Sequence, residues 1–244
     1  MEQVNTDIAL LITGTIVPNS NFVAHTDVAQ RRQEYYDNLV FYSNAFPGHD
    51  LYFLENSAYD LASDAAFMQL LEERKITLLK FPVSDKYTQG KGYQEFEMLD
   101  KAIEQLCGKY LSFVKITGRY RVHNLQRLVS GPCPGLVADS HKKFAVTQTN
   151  VFYVTGEFYK NNLKGLYLNV NDEKGVFIEK LVYQVLVNKN LFHEVKLFPV
   201  NPVITGISGS YGGTLNRNKL KMRIRNIERL VLGWMGKKEF LTEY

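Results

Sequence analysis

Short apolar, β-rich runs alternate along this chain with longer stretches whose apolar residues recur at helical spacing. The run 8–17 (IALLITGTIV) predicts a buried strand and 27–45 a helix. Strands then follow at 49–54, 76–81 and 110–116, with helices between them at 62–73 and 93–106. Three successive strand-helix cycles predict a parallel sheet with right-handed crossovers and helices on both faces. After Gly118 the pattern loosens. A short helix at 123–128, strands at 136–139 and 144–154, helices at 156–162 and 173–188, and strands at 195–198 and 203–207 are expected, with antiparallel pairing entering the sheet. A basic helix at 216–235 closes the order. The expected fold is therefore mixed α/β, a mainly parallel Rossmann-like sheet flanked by helices, in one domain without repeats or a linker.

Composition narrows the class. The 244 residues are 45% hydrophobic and 22% charged, the balance of an ordinary soluble globular chain, which excludes collagen-like, disordered and disulfide-scaffold classes. With 29 basic against 25 acidic residues, the net charge of +4 is too small for a dedicated nucleic-acid binder, so no nucleic-acid partner is expected. Two cysteines without CxxC spacing or clustered histidines indicate neither a zinc site nor a disulfide framework. The N-terminal segment lacks the positive region of a secretory signal, and 8–17 is half a membrane span, so a cytoplasmic location is expected.

Open α/β sheets bind ligands beyond the carboxyl ends of their strands, which directs attention to the polar residues there. The first strand ends in Thr13-Gly14-Thr15, the second in Glu55-Asn56-Ser57, and the fourth runs into Lys115-Ile116-Thr117-Gly118-Arg119-Tyr120. Lys91, flanked by glycines just before a helix, suits a phosphate at the helix N-terminus, or is simply a loop. Lys115, inside an apolar strand, and Arg119 beyond it could meet a diphosphate, or else pair with nearby carboxylates. Asp139 and His141 could ligate a divalent cation, with a turn-forming Asp as the alternative. Glu179 sits beside an apolar helical stripe of Phe177, Leu181 and Val185, as a general base or as a solvated surface group. The loop 206–213 (GISGSYGG), carrying Ser208 and Ser210, could form an anion-binding nest or a plain turn. The basic C-terminal stretch, with Ile224, Ile227, Val231 and Trp234 at helical spacing, could lie on anionic lipid or pack on the domain.

In order, the ITGT strand, the Arg31-Arg32-x-x-Tyr35-Tyr36 helix start, Glu55-Asn56-Ser57, GKGYQE, KITGRY and GISGSYGG resemble a group of bacterial glycosyltransferases that build capsule and lipopolysaccharide O-antigen. The resemblance spans nearly the whole chain and implies a GT-A fold. Residues 1–120 would then bind a nucleotide-sugar donor and 121–215 form a more irregular acceptor-side half. It implies transfer of a sugar to a glycan or lipid-linked acceptor; the basic stretch 216–244, where it lies on lipid, would set the chain at the inner face of the cytoplasmic membrane. Carried onto matching positions, it puts Thr13, Arg32, Glu55 and Asn56 beside the nucleoside and Lys91 beside the diphosphate. Lys115 and Arg119 stand near where many such enzymes carry a metal-binding Asp-x-Asp. That motif is missing here. Side-chain cations would then replace the metal, with Mg²⁺ or Mn²⁺ held at Asp139 and His141 as the fallback. Inversion needs a base, for which Glu179, then Asp172, then Asp139 are the candidates. A sugar nucleotidyltransferase or a non-catalytic nucleotide- or carbohydrate-binding protein is the rival reading.

Overall fold

The computed structural model describes residues 7–20 and 23–207. Its centre is a seven-stranded sheet of β1 (Ile8–Gly14), β2 (Asp50–Glu55), β3 (Thr77–Lys80), β4 (Ser112–Thr117), β5 (Leu136–Val137), β6 (Val151–Thr155) and β7 (Val195–Lys196). The strand order is β7-β5-β6-β4-β1-β2-β3. All neighbours pair in parallel except β6, which runs antiparallel to both β4 and β5. The mixed α/β class expected from the sequence is borne out. The topology reverses between β1 and β4: the chain proceeds outward through β2 and β3, then returns to lay β4 on the other side of β1.

Strand parity sorts the core into two layers. Ile8, Leu10 and Ile12 of β1 face helices α1 (Val28–Ala45) and α2 (Ala65–Glu73), whereas Ala9 and Leu11 face α3 (Lys91–Leu106) and α4 (Ile178–Asn188). The same alternation puts Phe113 of β4 on the α3 side and Val114 and Ile116 on the other. Thr13, Lys115 and Thr117 continue the α3-facing rows of β1 and β4, so these polar residues are directed at a helix, not at solvent.

Helices α1 and α2 each begin on an aspartate cap, and α2 starts at Ala65, three residues after the expected 62. The Asp27 carboxylate accepts from the Gln30 amide at 2.8 Å to start α1, and that of Asp64 accepts from the Phe67 amide at 3.0 Å to start α2. Elsewhere the boundaries move. Helix α4 begins at Ile178, not at 173, because Asn171 and Val176 pair across a turn in which Gly175 takes a φ of 69°. The expected strand 144–154 breaks into Val146–Thr147 and Val151–Thr155, with Ala145 in the left-handed region at φ 49°. The expected helix 156–162 is a turn of α-helix, Gly156–Phe158, running into a π-helical turn, Tyr159–Leu163. The basic helix expected at 216–235 lies outside the described residues. Among the described residues no helix is long and apolar enough to cross a membrane.

Candidate functional site at the carboxyl rim of the sheet

At the reversal between β1 and β4, the strand ends meet around one carboxylate. Glu95, on the second turn of α3, accepts through Oε1 from Thr13 Oγ1 at 2.5 Å and from Thr117 Oγ1 at 3.0 Å, and pairs with Lys115 Nζ at 2.7 Å. Lys115 also donates to Thr117 Oγ1 at 2.9 Å and to the Thr149 carbonyl at 2.6 Å. Three acceptors for three ammonium protons leave Lys115 fully engaged. The ion pairing weighed against its diphosphate role is therefore the contact observed. Burial pulls the Lys115 ammonium below its ordinary pKa, with Glu95 and Glu179 opposing. Burial pushes Glu95 the other way, yet Lys115 and the two threonines outweigh it and hold its carboxyl below the usual range. Glu95 retains 21% of its side-chain exposure, so one side of this cluster opens at the rim.

The neighbouring segments are tied to it. Thr15 Oγ1 donates to Asn56 Oδ1 at 2.7 Å, and Asn56 Nδ2 to the Gln94 carbonyl at 3.2 Å, joining the ends of β1 and β2 to the start of α3. Glu55 is wholly buried; its Oε1 accepts from the amides of Ile16 and Ser57 and from the Ser57 hydroxyl, and its Oε2 from Lys80. Glu55 and Asn56 thus shape the rim loops. Arg31 donates to the carbonyls of Thr15, Ile16 and His25, while Arg32 forms a two-pronged pair with Asp64 at 2.8 and 2.7 Å. That pair holds the Asp64 carboxyl down at about 2.

The helix α3 N-terminus is already capped. The Asp172 carboxylate accepts from the Lys91 amide at 3.2 Å, and a Cβ at Gly90, where φ is 121°, would come within 2.1 Å of Asp172 Oδ2. A protein carboxylate occupies the place that the phosphate reading of this turn reserved for a ligand, leaving only the exposed Lys91 side chain for that role. Burial raises the Asp172 pKa. Glu179, in the first turn of α4, is half-buried and accepts from Thr149 Oγ1 at 3.0 Å, and so connects to Lys115 through one residue. Asp139, beyond β5 at the same rim, is buried, and its carbonyl accepts from the Gln148 amide at 2.7 Å. Arg119 is buried, its Nη1 3.4 Å from the Ile207 carbonyl and 3.6 Å from Glu34 Oε2. Ser208 and Ser210 lie outside the described residues, though the loop that carries them starts beside Arg119: a Cβ at Gly206 would lie 2.5 Å from the Arg119 carbonyl.

Among the described residues no three His, Cys, Asp or Glu side chains gather as metal ligands, and no third such side chain joins Asp139 and His141 there. Glu95, Glu34, Thr117 and Thr149 escaped the sequence reading as site residues. Glu95 had a visible signal, since at 95, 99, 102 and 106 it shares the buried stripe of α3 with Leu99, Ala102 and Leu106.

No protein-family model matches the sequence, and no curated protein is significantly similar to it. Among solved structures, the chain is similar to a protein from Desulfovibrio desulfuricans G20 assigned as a nucleotide-diphospho-sugar transferase, with a TM-score of 0.46 and 9% identity over 79% of this chain and 80% of that one. It is similar also to a glycosyltransferase involved in the glycosylation of the major capsid of PBCV-1, with a TM-score of 0.44 and 9% identity over 78% of this chain and 80% of that one. At this distance neither likeness bears on activity.

Proposed function

We propose that this chain is a glycosyltransferase that moves a sugar from a nucleotide-sugar donor to a hydroxyl of a glycan or lipid-linked acceptor. The motif resemblance supplies the reaction class. One observation carries the reading: motifs scattered over residues 12–207 join at a single rim, with Thr15 bonded to Asn56, Asn56 to Gln94, Glu95 to Thr13 and Thr117, and Arg119 to Ile207. That rim is the carboxyl end of the sheet at its topological reversal, where open α/β sheets bind ligands.

In this reaction the acceptor oxygen forms a bond to the anomeric carbon as the bond from that carbon to the diphosphate breaks, and the electron pair leaves with the phosphate. Glu179 is assigned the acceptor proton, because it is the half-buried member of the three candidate bases. Asp172 and Asp139, more enclosed, rank behind it. Lys91 and Arg119 are assigned the departing charge, with Ser208 and Ser210 on the adjoining loop. Lys115, its protons spent, is reassigned to positioning Glu95 and the Thr149 segment. A role in bacterial surface-polysaccharide synthesis, with 216–244 resting on anionic lipid, follows from the resemblance and from the basic composition of that segment.

A donor-hydrolysis and transfer screen over UDP-, GDP-, dTDP- and CMP-sugars, with and without EDTA, tests the reading. Turnover of one class is expected, with Glu179→Gln lowering kcat by about 10²- to 10⁴-fold, the scale of general base catalysis. No turnover of any class contradicts the proposal, and an unimpaired Glu179→Gln moves the base elsewhere.

A further inference from the structure

Just before β6 the chain carries a threonine shared by the sheet and α4. Thr149 is buried; its carbonyl accepts from Lys115 Nζ at 2.6 Å, and its hydroxyl donates to Glu179 Oε1 at 3.0 Å. Lys115 has no exposure and is fastened in turn to Glu95 and Thr117, so the Thr149 backbone is tied to the interior of the sheet. A β-branched side chain has few χ1 states, and fixing its backbone therefore fixes the direction of its hydroxyl as well. That hydroxyl has a single proton to give, and Glu179 receives it.

Glu179 needs such a hold. It stands in the first turn of α4, half-buried, on a long and rotatable side chain. Lys115 attracts its carboxylate, and the buried Asp172 repels it. Those charges act on the carboxylate as a whole, whereas the Thr149 bond picks out one oxygen. The other, Oε2, receives no hydrogen bond from the described residues. A general base has to meet its proton within hydrogen-bond reach, and a carboxylate held by one oxygen presents the other in a set direction.

We infer that Thr149 is the positioning residue of Glu179, holding Oε1 so that Oε2 is presented to the acceptor hydroxyl. The inference rests on the glycosyltransferase reading with Glu179 as its base. Oε2 takes the proton of the acceptor oxygen as that oxygen bonds to the anomeric carbon and the diphosphate departs with the electron pair; Thr149 keeps its own proton throughout.

One arm of the test needs no turnover. Thr149→Val exchanges the hydroxyl for a methyl and leaves the carbonyl that Lys115 holds; Thr149→Ala stands in for it if the valine variant does not fold. In urea, Thr149→Val and Glu179→Leu together should destabilise the full chain by less than the sum of their separate losses, because both remove the same bond. Additive losses overturn the inference and leave the glycosyltransferase reading standing. The second arm is kinetic, with whichever of the UDP-, GDP-, dTDP- and CMP-sugars is turned over fastest. Thr149→Val should lower kcat about 10- to 100-fold, the scale of a misaligned reacting group, with KM within about twofold of wild type. Thr149→Ser, which keeps the hydroxyl, should stay near the wild-type kcat. Added to Glu179→Gln, Thr149→Val should change kcat little, since Thr149 acts only through Glu179. A serine variant as slow as the valine one, or a valine effect undiminished beside Glu179→Gln, overturns the inference. Coupling in urea without turnover of any nucleotide sugar overturns the reading of function, and this use of Thr149 with it.

Discussion

Lys115 shows how one residue's chemistry is decided by its neighbour. Buried without exposure in the middle of the sheet, it is tolerable only because Glu95 and two further oxygens absorb its protons. Removing one member of such a pair leaves a stranded charge, so Lys115→Met should cost about 3 kcal/mol. Lys115→Met combined with Glu95→Leu should regain much of that loss. Urea denaturation of the three proteins reads this directly, and additive losses would refute the pairing. A second residue-scale expectation concerns acid. Arg32 holds the Asp64 carboxyl near 2, below its unfolded value near 4, so the stabilisation is complete above that unfolded value and is lost as pH falls toward the folded one. The stability gap between wild type and Asp64→Asn should therefore be widest above pH ~5 and close by pH ~2. A gap that widens on acidification would contradict the assignment. Much at this scale was invisible in the sequence: Lys115 was conspicuous in an apolar strand, but its partner lies twenty positions away on a helix, and only the strand parity that turns Thr13, Lys115 and Thr117 toward α3 joins them.

At the scale of elements, the first half was the more legible because its signals are local. Asp27 and Asp64 cap α1 and α2 from positions next to those helices, and the apolar residues of β1 and β4 reach both faces of a buried sheet. The second half was harder. Its strands are as short as Leu136–Val137, held by pairing with distant β6 and β7, and the start of α4 was misplaced because the Asn171-Asp172…Gly175 turn was absorbed into the helix. Helix α3 illustrates the same limit: its cap comes from Asp172, far along the chain. Gly90→Ala should consequently fail for two reasons, the left-handed φ of 121° and the overlap with the Asp172 carboxylate, and should lower stability by more than about 1 kcal/mol. A thermal midpoint unchanged by Gly90→Ala would show that α3 does not depend on this cap.

Across the whole molecule, polar residues collect at the carboxyl end of the sheet, between the two helical layers. The opposite edge is polar too, but differently: Asp50, Tyr52, Lys109 and Tyr110 close on one another, with Tyr52 and Tyr110 hydroxyls 2.9 Å apart and Lys109 3.0 Å from Tyr52. The carboxyl rim instead keeps Glu95, Glu34 and Glu179 partly open. That difference between edges makes the central claim directly measurable. Amide hydrogen exchange with and without saturating nucleotide sugar should show protection confined to the rim, at 13–16, 55–57, 89–95 and 117–120. Residues 50–52 and 107–111 should remain unchanged. Protection centred on that opposite edge, or none at the rim under conditions where the nucleotide sugar binds, would contradict a donor site at the β1–β4 reversal.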